Sequence, residues 1–371
     1  MSTDTTTQRV FNFSAGPANL PLPVLETIRD ELIALPSAGA SILEISHRSP
    51  EFLAIQADAQ QRLKDLLSVP DNYRILFLQG GSRLQFSMIP MNLLGKSQCA
   101  DYVITGTWGK KALDEAVREG ETCVLWDGKK TNYNDLPTMS ELSPSTNSAY
   151  VHITSNETIQ GVQFLESPGW DVPVVCDCSS DFLSRPIDVA QYGLIYACAQ
   201  KNAGPAGVTV VIIREDLLKR SSESLPGYLS YQNHASNDSL YNTPPTFGIY
   251  VVGLVARWLQ ETVGGLEAMA TRNEKKAQQL YDVIDQSGGF YVGHSKPEHR
   301  SKMNVTFRLP SEDLQADFLA QAKQHQLCSL KGHRSVGGIR ASIYNAMPLE
   351  GVQQLRDLML EFAASSAGHE K

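Results

Sequence analysis

The 371-residue sequence contains no apolar run approaching the roughly 20 residues that a membrane-crossing helix needs. It also lacks an excess of basic charge: 32 Lys and Arg stand against 40 Asp and Glu, a formal net charge of −8. Nucleic-acid and membrane-surface binders need a basic face, so that balance argues against both classes, while leaving room for a local basic pocket around a small anion. Cysteine is scarce, and the six present (Cys99, Cys123, Cys176, Cys178, Cys198 and Cys328) show neither zinc-ligand spacing nor a disulfide framework. No metal is expected from that spacing, and a reducing cytoplasm is the expected setting. The opening residues MSTDTTTQ lack the basic-then-apolar pattern of an export signal. There is no internal repeat, no low-complexity tract and no G-x-G-x-x-G dinucleotide fingerprint.

What the sequence does contain is a 42% hydrophobic fraction, enough for a normal interior, in a chain too long for one compact core. Its centre is AQKNAGPAG, Ala199 to Gly207. There Lys201 lies in a small-residue turn between two apolar runs, Leu194 to Ala197 and Val208 to Ile213. A turn lysine is ordinarily solvated. A buried one is costly without a partner or a reaction, and partial desolvation makes its amine lose a proton more easily and act as a nucleophile.

Along the chain, residues 1–10 read as a disordered lead-in. Pro21 and Pro23 precede an amphipathic helix through roughly Leu35, and Ser49-Pro50-Glu51 reads as the cap and first turn of a second helix running to about Ser68. Alternating strand and helix patterns come next. The strands are Arg74 to Leu78, Asp101 to Thr105, Thr122 to Trp126, Tyr150 to Thr154, Val172 to Cys176 and the two runs around Lys201. Residues 220–245 form a long Ser/Asn/Pro-rich stretch expected to be functional or at an interface. After Gly264-Gly265 the pattern changes to a smaller α+β module. The expected domains are 11–264 and 265–371, an α/β unit with a mostly parallel sheet followed by a C-terminal appendage.

Ligands in open parallel sheets bind beyond the carboxyl ends of the strands. The residues falling there are Asp177, Lys201, Gly80-Gly81-Ser82-Arg83 at a helix start, Trp108, and Asn156-Glu157-Thr158. Each has an ordinary reading alone: Asp177 as a helix cap, the Gly-Gly turn as a tight loop, Trp108 as core. Together they fit pyridoxal phosphate, which needs an imine-forming lysine, an acid for its ring nitrogen, a phosphate cradle and a flat aromatic surface. Two His-Arg pairs, His47-Arg48 and His333-Arg334, with Arg340 suggest recognition of a dianion through forked guanidinium contacts.

The segments FNFSAGPA, SHR, AQKNAGPAG, NTPPTF, KGHR-VGG-RAS and YNAMPLEGV together closely resemble the phosphoserine aminotransferase family. That is a family of class-V, fold-type I pyridoxal-phosphate enzymes related to aspartate aminotransferase, and the similarity runs from about Phe11 to Phe362. It implies an aspartate-aminotransferase-like large domain with a mostly parallel seven-stranded sheet and a smaller α+β C-terminal domain. It also implies a homodimer with shared active sites and transfer of an amino group from glutamate to 3-phosphohydroxypyruvate. In bacterial-type members a related step serves vitamin B6 synthesis.

By position, the resemblance makes Lys201 the Schiff-base lysine, Asp177 the pyridine-nitrogen partner and Trp108 the stacking surface. Thr158 donates to the ring oxygen. Ser82, Arg83 and Gln200 lie at the cofactor phosphate, with Asn242 and Thr243 supplied across the dimer. Arg340 holds the substrate α-carboxylate, and His47, Arg48, Arg83, His333 and Arg334 surround its phosphate or distal carboxylate. Three departures bear on fine geometry: GGSRLQF at the cradle, Cys198 before AQKN, and Asp181. A cysteine desulfurase-like lyase would need Cys328 as a mobile nucleophile, whereas HQLCSLKG reads as a buried structural cysteine. A pyridoxal-binding regulator that has lost turnover would not need the intact lysine, aspartate and arginines.

Overall fold

The structure, a computed structural model, describes residues 9–366. Seven strands form one sheet: β1 (Tyr73–Leu78), β2 (Cys99–Ile104), β3 (Glu121–Asp127), β4 (Ser148–Thr154), β5 (Val174–Asp177), β6 (Leu194–Cys198) and β7 (Thr209–Arg214). Their spatial order is β1-β7-β6-β5-β4-β2-β3. Pairing is parallel from β3 across to β6, and only β7 runs antiparallel to both its neighbours. The near-continuous apolar runs of β2, β4 and β5 follow from this, because a parallel sheet is covered on both faces and both side-chain sets are buried.

One apolar cluster packs the face that holds the helices Pro50–Leu67 and Thr246–Trp258, and a second packs the face of Gly81–Leu93 and Thr107–Ala116. Ser49 caps the Pro50–Leu67 helix as its sequence requires, its hydroxyl accepting from the Phe52 N–H at 3.3 Å. A third cluster gathers Leu280, Phe307, Phe318, Ile339 and Leu355 around the small sheet of Val292–Gly293, Asn304–Arg308 and Ile339–Ser342. Phe13 is buried in that same cluster, and the strand Phe11–Asn12 pairs in parallel with Leu327–Cys328. The N-terminal segment thus reaches across the chain before the large sheet begins.

Several local expectations change. The lead-in expected over 1–10 lies outside the described residues except for Arg9 and Val10, which are exposed. The stretch 220–245 is not all loop: Tyr231–Ser236 forms a short helix started by the Ser230 hydroxyl. The first helix ends at Glu31 rather than near Leu35. Cys328 is half-buried rather than buried, because its two-residue strand lies at an edge.

Candidate active site

Asp177 is the last residue of β5, and Lys201 follows β6 by three residues, so neighbouring strands deliver both to the same end of the sheet. Both lie deep in the protein, Lys201 with part of its surface open. The Lys201 ammonium makes no hydrogen bond among the described residues and stands 5.4 Å from the centre of the Trp108 ring. Burial, the largest influence, pulls its pKa down, but the negative surroundings of Cys198, Tyr344, Asp177 and Glu157 turn the net shift upward. This corrects the simple expectation from desolvation: the acidic company of the amine outweighs its loss of water.

Asp177 is pushed up from the usual carboxylate range, chiefly by burial, against the opposing pull of Lys201 and hydrogen bonds from Ser179 and Tyr196. Its Oδ1 accepts from the Ser179 N–H at 2.9 Å. Behind it, the Tyr196 hydroxyl lies 2.9 Å from His152 Nε2, while His152 Nδ1 is buried without a partner. A buried N–H without an acceptor costs more than an idle ring nitrogen. Hence the proton belongs on Nε2, which donates to the Tyr196 hydroxyl. Burial pushes the His152 pKa down to about 3, so the ring is neutral in this role.

Trp108 begins the helix Thr107–Ala116. Its indole N–H donates to Thr158 Oγ1 at 3.0 Å, and its backbone N–H, with that of Gly109, donates to the Glu157 carboxylate at 2.9–3.1 Å. Glu157 is fully buried, and burial raises it to about 7 despite those bonds. It places the aromatic face from behind, with no role expected from its sequence position. The available signal was its place among Asn156-Glu157-Thr158 at a strand end. Gly106 makes room for it, since a Cβ there would meet Glu157 Cδ at 2.5 Å.

The turn before the helix Gly81–Leu93 forms as its glycines predict. Gly80 and Gly81 have φ of +90° and +64°, and no side chain caps the helix they open. Its first N–H groups are therefore available to an anion. Ser82 Oγ lies 2.8 Å from Ser179 Oγ, tying the cradle to the Asp177 turn. Gln200 is half-buried, and its carbonyl accepts from the Ala18 N–H at 2.8 Å. Asn242 and Thr243 are exposed, with the Thr243 carbonyl accepting from Gln79 at 3.1 Å just before the cradle.

Arg340 donates to the Thr158 carbonyl at 3.4 Å and pairs with no carboxylate among the described residues; burial pulls its pKa down. His333 is likewise lowered, by burial first and then by Arg340, Lys111 and Arg334. Lys111, lowered by burial, Arg83 and Arg334, stands 4.5 Å from the Trp108 ring centre and was not among the expected residues. Arg83, Lys111, His333, Arg334 and Arg340 therefore share one positive field. His47 and Arg48 contact one another at 3.4 Å, but no hydrogen bond or ion pair joins them to this group.

Residues 10–355 match the family described as aminotransferase class-V. A phosphoserine aminotransferase of Rhodopirellula baltica is 56% identical over 363 residues, covering 97% of this chain and 96% of that protein. The chain belongs to the phosphoserine aminotransferase family of class-V aminotransferases. Among solved structures, a phosphoserine aminotransferase from Bacillus circulans subsp. alkalophilus matches with a TM-score of 0.95 and 51% identity, over 96% of this chain and 99% of that one. The phosphoserine aminotransferase of Trichomonas vaginalis, a structure with pyridoxal phosphate bound, matches with a TM-score of 0.90 and 42% identity, over 95% and 100%. The fold of this family is the fold type I described above, with the seven-stranded sheet and the small C-terminal module in the expected order.

Proposed function

We propose that the chain catalyses pyridoxal-phosphate-dependent transamination between glutamate and 3-phosphohydroxypyruvate, giving 2-oxoglutarate and O-phosphoserine, a step of serine biosynthesis. The observation that carries this is the Lys201 ammonium beside Trp108 and the buried Asp177, facing a cationic rim that, like Lys201 itself, pairs with no carboxylate among the described residues.

The residues fit the cofactor. Gly80, Gly81 and Ser82 offer open N–H groups and a hydroxyl for its phosphate, with Gln200 and Arg83 nearby. Trp108 offers a ring face and Thr158 a hydroxyl, and Asp177 is a buried carboxylate suited to a protonated ring nitrogen. When bound, the cofactor supplies the electron sink that makes a proton on the substrate's α-carbon removable. Lys201, once its own ammonium proton has been given up, would take that proton at Nζ and return it at the end of the half-reaction. Its acidic surroundings and the Trp108 face hold the amine in position. With the cofactor bound, Asp177, held by the Ser179 N–H, would be the carboxylate that favours the protonated form of the ring nitrogen.

Arg340 orients the substrate α-carboxylate, and Arg83, His333 and Arg334 hold its phosphate or distal carboxylate, with Lys111 adding charge. His47, Arg48, Asn242 and Thr243 act across a homodimer. The exposed apolar side chains of Ile33 (84%) and Leu43 (63%) support a covering partner. We retain 11–264 and 265–371 as the two domains, with the positive-φ pair Gly264-Gly265 at their junction. No helix among the described residues is long and apolar enough to cross a membrane, and six free cysteines support a reducing compartment, the cytoplasm.

The test is a half-reaction comparison. O-phosphoserine should change the visible absorbance of the bound cofactor far faster than serine or aspartate does, and Arg334→Ala should raise KM for phosphorylated substrate more than for glutamate. A wild-type protein that stays colourless with pyridoxal phosphate, or that treats serine and O-phosphoserine alike, sinks the proposal.

A further inference from the structure

At the opposite end of the large sheet, where β2 begins, three metal-ligating side chains meet that are far apart in the usual spacing patterns. Cys99 and Asp101 project from the same face of β2, and Cys123 comes from the edge strand β3, where it is the register partner of Asp101. The two sulfurs and a carboxylate oxygen all lie within 4.8 Å of one another. A fourth donor is adjacent: Asn147 Oδ1, from the residue before β4, is 3.4 Å from Cys99 Sγ.

The separations match a tetrahedral ion. With metal–sulfur bonds near 2.3 Å and metal–oxygen bonds near 2.1 Å, a sulfur and an oxygen on one tetrahedron stand about 3.6 Å apart. Cys99 Sγ and Asp101 Oδ1 are 3.7 Å apart. Independently of that geometry, Asp101 has 0% exposure and no ion pair among the described residues. Its only close donors are neutral, the Ser145 N–H at 2.7 Å, the Ser145 hydroxyl at 2.8 Å and the Cys99 thiol. A buried carboxylate without a cation nearby is expensive. Cys123 is half-buried and gives an ion a way in.

We propose that Cys99, Asp101 and Cys123, with Asn147 as fourth ligand, form a structural site for a soft divalent cation, Zn²⁺ by ligand type and geometry. On binding, the two thiols release their protons to solvent and two metal–sulfur bonds form, while the carboxylate and the amide oxygen add as an anionic and a neutral donor, so the net charge of the site is unchanged and the carboxylate gains a cation in direct contact. No electron is transferred. The ion ties the edge strand β3 to β2 and to the start of β4, where side chains of Glu121–Asp127 are otherwise only partly covered. Because these ligands sit at the strand ends remote from Asp177 and Lys201, the ion acts on stability and not on turnover.

The experiment uses pyridoxal-phosphate-loaded enzyme treated with a chelator, then dialysed against ZnCl₂ or CoCl₂. About one ion per chain should be retained. Co²⁺ should give the intense ultraviolet band of thiolate-to-metal charge transfer, and Zn²⁺ should raise the Tm with kcat unchanged. Cys123→Ser should weaken Zn²⁺ binding by about 100-fold or more, given that even residues outside a ligand shell cost 10–100-fold. Cys328→Ser should leave binding intact. Wild-type protein without a thiolate band overturns the proposal whatever the variants do. Retention of zinc by Cys123→Ser at wild-type affinity overturns it equally.

Discussion

Lys201 and Lys276 are both deep in the protein, one at the open ends of the large sheet and the other in the helix Leu266–Gln286 behind the small one. Lys276 spends its protons on backbone. Its Nζ donates to the carbonyls of Ile343, Tyr344 and Met347 at 2.9, 2.7 and 3.2 Å, with that of Asn345 at 3.5 Å. It pins the loop that closes a cavity of about 770 Å³ between the N-terminal segment and Pro348. Lys201 has no such acceptor among the described residues, only a ring face and carboxylates at a distance. Burial and Arg272 push Lys276 down to about 7, whereas acidic neighbours carry Lys201 upward. Burial alone therefore says little about a lysine. A saturated ammonium is a fastener, and one left without hydrogen bonds is available for chemistry.

The sharpest way to break that contrast is to remove each amine. Lys201→Ala should lower kcat by about 10³-fold or more while leaving the Tm near wild type. Lys276→Met should instead cost roughly 3 kcal/mol of stability in a denaturant titration, because several buried carbonyls lose their donor, with kcat of the folded fraction kept. A Lys276 variant that is stable but inactive would put the two lysines in one class.

The next largest effects come from pH, measured by denaturation of cofactor-free protein. Glu157 has a folded pKa raised to about 7, so the folded state holds a proton the unfolded state has released, and stability falls as pH rises from about 4.5 to 7. The loss is at most about 3 kcal/mol, and Glu157→Gln should flatten it. Lys276 has the opposite sign. With its folded pKa lowered to about 7, the unfolded state binds the extra proton between there and 10.5, so stability rises over that window and Lys276→Met should remove the rise.

Smaller effects test the supports of the reactive end. Tyr196→Phe removes the hydroxyl that accepts from His152 on the strand beside Asp177 and should weaken pyridoxal phosphate retention about 10-fold, read by equilibrium dialysis, with the fold unchanged. Ser82→Ala loses one hydrogen bond to Ser179 and should cost about 1 kcal/mol in the same assay.

Legibility in the sequence followed the range of the forces involved. Lys201, Asp177, Trp108 and the Gly80-Gly81 turn were readable because each sits at the end of an apolar run, where strand pattern and turn chemistry are local. Glu157 and Lys111 were not, since a carboxylate beside Asn156 and a lysine on a helix look solvated until β4 and the Thr107–Ala116 helix come together. The paired cations His47 and Arg48 were visible as a motif, yet among the described residues the fold gives them contact with each other and no hydrogen bond to Lys201.

The order of strands and helices, the place of Lys201 between two strands and the family were determined by the sequence itself, because periodicity, turn residues and contiguous motifs are written along the chain. Only the tertiary structure decided which buried groups share a field. It set Lys201 among acids, Lys276 among carbonyls, Glu157 under a helix end, and Cys99 beside Cys123. Electrostatic and hydrogen-bonding interactions depend on distances of a few ångströms through space, and residues 24 or 71 positions apart carry no sequence mark of lying that close.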